Sequence, residues 1–209
     1  MAEYKRPAEV VDAAQATLDA TELGRQDFMG GDRPARRIAG LRNVVVWGRA
    51  VTNVLQNLRT FDRGRFDTWY EPYRVGMEHN PTFQYLYQLR TQVLKHGTLG
   101  GTKTSMHIEQ LGPAEFARLQ SNPPPNARGF FIGDTLGGSG WIVALPDGSE
   151  ERYYVDIPGD IRVTVSTQFA DATHDMGIPP PLKPIDQVLG EYVDYLSELV
   201  AAARKEFAT

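Results

Sequence analysis

Cysteine is absent from the 209 residues. That removes disulfide frameworks, thiol nucleophiles and thiolate metal sites, and makes a cytoplasmic address the expectation. No run approaches the roughly 18 consecutive apolar residues of a membrane helix, so no membrane partner is expected. The opening Met-Ala-Glu-Tyr-Lys-Arg-Pro lacks the apolar stretch of a secretory signal. Histidine is scarce, and His79, His96, His107 and His174 include no pair at i, i+4 spacing. The run Asp171-Ala172-Thr173-His174-Asp175 reads as a polar loop, so no metal is expected. No Gly-x-Ser-x-Gly elbow occurs. Two glycine clusters, Gly97–Thr104 and Gly133–Gly140, invite a phosphate-loop reading and fail it. A nucleotide loop needs glycine directly before lysine, after a strand and before a helix. Here Thr102 precedes Lys103 behind a helix, and the second cluster has no lysine. No cofactor is expected.

What is present is a globular composition, 41% hydrophobic and 23% charged. The net charge of −4 argues against wholesale coating of nucleic acid, but it hides a segregation. Residues 33–103 carry twelve cations against four acids, whereas residues 104–209 carry seven against fifteen. Ten of those twelve cations are arginine, whose planar fork suits phosphate and stacks on rings. The plainer reading is that these arginines line solvated faces or bind the acidic C-terminal half.

The periodicity divides the chain in two. Val10, Val11, Ala14 and Leu18 predict a helix from Pro7 to about Leu18. Ile38, Leu41, Val45, Val51, Val54 and Leu58 predict a long helix over 38–60, with Arg42, Arg49 and Gln56 at heptad spacing on another face. Asp67 is placed to cap a short aromatic helix carrying Trp69, Tyr70 and Tyr73. Asn80, Pro81 and Gly97 punctuate the next helix at its cap, its first position and its left-handed end. From Thr104 the period falls to two. Strands are expected near 104–108, 129–132, 141–145, 151–157 and 161–167, with turns at Pro146–Ser149 and Pro158–Asp160. A last helix begins after Pro184. The expectation is an α+β fold: a helical bundle over 1–100, then an antiparallel β-meander and a closing C-terminal helix over 101–209.

Arg90 and His96 carry the chemistry of interest. They stand with five residues between them at the C-terminal turn of the well-punctuated helix, about 120° apart around its axis. Arginine can hold a phosphate and its developing charge, and imidazole can move a proton. That pairing suits RNA cleavage by the 2′-hydroxyl, without metal. Arg74 and Lys95 are candidates for contact with the RNA backbone. Arg74 and His79 match the same spacing, but Arg90 and His96 have the better helical context. The structural alternative is that His96 satisfies last-turn carbonyls and Arg90 is solvated or ion-paired.

The segment Phe83-Gln84-Tyr85-Leu86-Tyr87-Gln88-Leu89-Arg90-Thr91-Gln92-Val93-Leu94-Lys95-His96-Gly97 resembles the HEPN superfamily, and the likeness extends over roughly residues 7–100. The family comprises small helical nucleases and nuclease relatives of prokaryotic toxin–antitoxin and antiviral defence systems. The resemblance implies a homodimer in which two such pairs face one metal-independent ribonuclease site, with Arg90 and His96 in the catalytic roles. Thr91 stands where the family often has Asn, Asp or His. The β-rich half lies outside the likeness. In the alternative reading the chain is a non-catalytic ligand- or protein-binding module, working through the meander and its Gly/Pro loops.

Overall fold

The computed structural model describes residues 4–30, 34–109, 112–134, 138–158, 161, 163–170 and 177–208. Six helices and two small antiparallel sheets make the fold α+β. The helices are α1 (Pro7–Gly30), α2 (Pro34–Leu55, continued by a 3₁₀ turn at Gln56–Thr60), α3 (Arg63–His79), α4 (Pro81–His96), α5 (Pro113–Leu119) and α6 (Ile185–Phe207). The strands are β1 (Thr102–Ile108), β2 (Ala127–Ile132), β3 (Ser139–Ala144), β4 (Glu150–Val155) and β5 (Val163–Phe169).

The chain divides into two compact units. One holds residues 1–29, 39–103 and 168–209, and the other 30–38 and 104–167. A boundary at residue 100 therefore does not follow the packing, because α6 belongs with the first four helices. The reason is its apolar stripe. Ile185, Val188, Leu189, Tyr192, Val193, Leu196, Leu199, Val200 and Ala203 are all buried in the same core as Val10, Leu41, Leu55 and Leu89.

Two caps show how local chemistry sets the helix ends. The Asn80 side chain accepts hydrogen bonds from the backbone N–H of Thr82 and Phe83 at 3.0 and 3.3 Å, and Gly97 closes α4 at φ 67°. The cap of α3 is Asp62, which accepts from the N–H of Arg65 at 3.0 Å, and not Asp67. Asp67 sits inside the helix, where Arg59 at 2.7 Å and Arg63 at 3.6 Å hold its carboxyl below the usual range.

Helices α1 and α2 cross on glycine. A Cβ on Gly40 would strike the backbone N of Phe28 and would lie 2.6 Å from the backbone O of Gly24. Both obstacles are main chain of the other helix, so no rotamer change relieves them. Gly40→Ala is expected to destabilise the chain by about 1–3 kcal/mol from overpacking, less the 0.5–1 kcal/mol that alanine gains inside a helix. Urea unfolding measures it. A Gly40→Ala midpoint at or above the parent's would show that the helices separate at no cost.

In the second unit β2, β3 and β4 form an antiparallel sheet, with Phe130 paired to Trp141 and Trp141 to Tyr153. The turn from β3 to β4 is the expected one, with Gly148 at φ 85° and the Ser149 carbonyl accepting from Leu145 N–H at 2.8 Å. The meander comprises β2, β3 and β4. β5 pairs with β1 in a separate two-stranded sheet, where the hydroxyls of Thr104 and Thr167 lie 3.1 Å apart. Gly159 and Asp160 of the second expected turn fall outside the described residues.

Candidate functional site

Helix α4 buries Tyr85, Leu86 and Leu89 and leaves Lys95 and His96 exposed at its end. The Tyr85 hydroxyl donates to the Gly101 carbonyl at 2.7 Å, which ties down the chain after the helix. Two contacts pair α4 with α2 in antiparallel sense. Arg42 donates to the Gly97 carbonyl at 2.7 Å, and the Arg49 guanidinium lies 5.7 Å from the Tyr87 ring centre. Arg90 stands between those two levels along α4 and is half-buried.

Four arginines of the basic segment, Arg59, Arg63, Arg65 and Arg74, have carboxylate partners. Arg59 binds Asp67, Arg65 binds Glu206 at 2.6 Å, and Arg74 binds Glu71 at 2.6 Å and Glu78 at 2.5 Å. The Arg65 pair reaches across to the acidic C-terminal third, and the Arg74 pairs are neighbours on one helix. Arg42, Arg49 and Arg90 differ, because among the described residues none has a carboxylate partner. The Nε atoms of Arg42 and Arg90 are buried with no hydrogen-bond acceptor. A buried donor without an acceptor costs about 1–3 kcal/mol, so an acceptor oxygen that reached either Nε would recover that cost.

The four residues singled out by sequence thus separate. Arg90 is unpaired beside α2, and Lys95 and His96 share the exposed end of α4. Arg74 lies on α3, and its charge is already engaged by two glutamates, which also push its pKa upward. Its surroundings do not favour a role in gripping RNA. The same two glutamates bear on the competing pair through Arg74, and its His79 ring contacts the Val75 carbonyl through Nδ1 at 2.9 Å. His96 is not the cap of α4. The carbonyl of Gly97 is taken by Arg42 instead.

Sequence reading placed Arg42 and Arg49 on one helix face but did not assign them to the site. It also passed over Asp134, in the second glycine cluster. Its carboxylate, 3% exposed, accepts from Gly138 N–H at 2.9 Å, from Arg152 at 2.8 Å and from the Tyr154 hydroxyl at 2.6 Å. This ties the β2–β3 hairpin to β4. Among the described residues no three His, Asp or Glu side chains come together as metal ligands, and His174 lies outside them. No described helix is long and apolar enough to cross a membrane.

The aromatic group is mostly core. Phe66 stacks on Tyr70 at 5.1 Å, and Trp69 meets Phe207 edge-on at 5.2 Å, whereas Tyr87 is 45% exposed beside Arg49. Burial pushes the phenols of Tyr70, Tyr85 and Tyr192 above their ordinary value. A raised folded pKa stabilises the fold below the unfolded value of about 10 and withdraws that stability as pH rises beyond it. Helical circular dichroism and tyrosinate absorbance are therefore expected to change together above about pH 10. Tyrosines that all ionise near that pH with the helix signal intact would contradict this.

No family model, curated protein or solved structure matches this chain.

Proposed function

We propose that the chain is a HEPN-like, metal-independent endoribonuclease of the defence type, or a relative that keeps the RNA grip without the cleavage. The observation that carries the reading is that Arg90 on α4 and Arg42 on the adjacent α2 have no carboxylate partner among the described residues, beside a helix that ends in an exposed His96. A phosphodiester supplies what they lack. Its two free oxygens accept two parallel N–H bonds from a guanidinium, and the developing charge of the transition state strengthens them. RNA brings its own nucleophile, so the 2′-hydroxyl attacks phosphorus and the 5′-oxygen leaves, giving a 2′,3′-cyclic phosphate and a 5′-hydroxyl. One proton must come off the 2′-oxygen and another must reach the 5′-oxygen. His96 performs one of these transfers, and His96 of a second copy performs the other in a homodimer. Lys95, exposed beside it, adds charge for the flanking backbone.

The test is incubation with structured and mixed-sequence RNA in EDTA, beside an Arg90→Ala/His96→Ala double variant. Cleavage by the parent alone, with cyclic-phosphate ends, is the expected result. RNA binding without cleavage, lost in the double variant, identifies the degenerate relative. Equal cleavage by both proteins, or no RNA binding by either, overturns the assignment.

A further inference from the structure

The first unit has an open pocket of about 330 Å³ between α2, α3, α4 and α6, separate from the end of α4. Its floor and walls are aromatic: Tyr70, Phe83, Tyr87 and Tyr192, with Phe83 set edge-on to Tyr192 at 5.2 Å. Its polar groups are Thr52, Gln56 and Gln84, and its charges are Arg49, Arg74 and Glu78. Arg49 is poised rather than paired. Its NH1 donates to the Thr52 hydroxyl at 3.0 Å, its guanidinium faces the Tyr87 ring, and no carboxylate meets it among the described residues.

We propose that this pocket binds a small, flat organic acid carrying a single negative charge, with its carboxylate on Arg49 and its ring among the tyrosines. Three features set that chemistry. A carboxylate takes two parallel bonds from a guanidinium fork, and the Tyr87 ring lies 5.7 Å from that guanidinium. The charges set the limit of one. Glu71 and Glu78 both pair with Arg74, which leaves Arg49 as the lining arginine with no carboxylate on its fork, while the surplus negative charge around Arg74 disfavours a second charge on the ligand. At about 30 Å³ for each water-sized group, the volume holds on the order of ten such groups, which is one ring with its carboxylate and little more. The phenols of Tyr70 and Tyr192 are neutral at neutral pH and carry a donor O–H. The site does not depend on the reaction assigned to Arg90 and His96.

The probe is 4-hydroxybenzoate, titrated calorimetrically into the full chain beside its neutral counterpart 4-hydroxybenzyl alcohol and the dianion phenyl phosphate. Saturable binding of the benzoate is expected, with the alcohol and the phosphate each at least about tenfold weaker, the alcohol for want of the charge-assisted fork. Arg49→Gln is expected to lose at least about tenfold and Arg49→Lys less, since lysine keeps the charge without the fork. If Arg49→Gln does not fold, Tyr87→Ala removes an exposed wall instead, and photolabelling with 4-azidobenzoate locates the ligand in the parent. Label on α2 or α4 peptides, competed away by 4-hydroxybenzoate, supports the site. No saturable binding up to about 10 mM, a Kd beyond any specific small-ligand site, overturns the proposal. So do equal affinity in Arg49→Gln, tighter binding of phenyl phosphate, or label confined to other peptides.

Discussion

A chain ending at Pro184 is expected to lose cooperative unfolding of its helical unit. Helix α6 carries nine buried side chains, and they share one cluster with α1, α2, α3 and α4. Burying a large apolar side chain is worth about 1.5–3 kcal/mol, so the eight larger than alanine together reach roughly 12–24 kcal/mol, comparable to or above the 5–15 kcal/mol by which a domain is ordinarily stable. Removing α6 also bares the faces it covers, including Gly48 and Phe83, which meet Tyr192 in the intact chain. The truncated protein should show a shallow, non-cooperative urea profile and bind hydrophobic dyes. The graded counterpart is Leu196→Ala, at 0% exposure, with an expected loss of about 2–5 kcal/mol. A truncated chain that unfolds in one sharp transition near the parent's midpoint would show that residues up to 103 form the bundle alone.

This dependence was only half legible in the sequence. The stripe of α6 is plain at i, i+3, i+4 spacing, but a stripe does not say which surface covers it, and contacts with α1 and α2 span more than a hundred residues. Helix α4 was fully legible because its signals are local: a cap, a proline and a left-handed glycine act within their own turn. Helix α1 runs to Gly30 rather than Leu18, and the missed half explains itself. The buried positions continue as Thr21, Gly24 and Phe28, and two of the three are not apolar letters. Gly24 is buried because α2 needs close approach there, a requirement that belongs to the partner helix. The pairing of β5 with β1 was illegible for a similar reason, since a turn after β4 suggests the nearer neighbour.

In the site, the arginine block and its heptad stripe could be read directly, but the state of each guanidinium could not. The pairs of Arg74 with Glu71 and Glu78 lie at i−3 and i+4 and were available as a local signal. That the Nε atoms of Arg42 and Arg90 lack acceptors follows only from the fold, which buries them while it sets one terminal nitrogen of Arg42 on a backbone carbonyl. Charge density in a sequence therefore identifies a basic surface, while the fold decides which part of it remains unneutralised.

That distinction gives the variant series its expected shape. His96→Ala should lower RNA cleavage by about 10²–10⁴-fold, the usual contribution of a positioned acid or base, while leaving RNA affinity nearly unchanged. Arg90→Ala should lower both. Arg90→Lys is the sharper probe: it retains the charge and loses the fork, so affinity at low salt should survive better than turnover. Arg42→Met should resemble Arg90→Ala in affinity, with some loss of stability because the Gly97 carbonyl loses its partner. Arg63→Gln is the control, since that side chain is 80% exposed with one loose contact to Asp67 at 3.6 Å; it should stay within about twofold, as a surface change of under 0.5 kcal/mol does. Each outcome separates a catalytic grip from general basicity. If all arginine variants weaken binding equally, Arg63→Gln included, the basic segment acts as a diffuse electrostatic surface and the unpartnered forks have no special role. If Arg90→Lys cleaves as the parent does, bidentate recognition at that position is excluded. If His96→Ala cleaves normally while Arg90→Ala does not, the proton is moved by another group and His96 leaves the site.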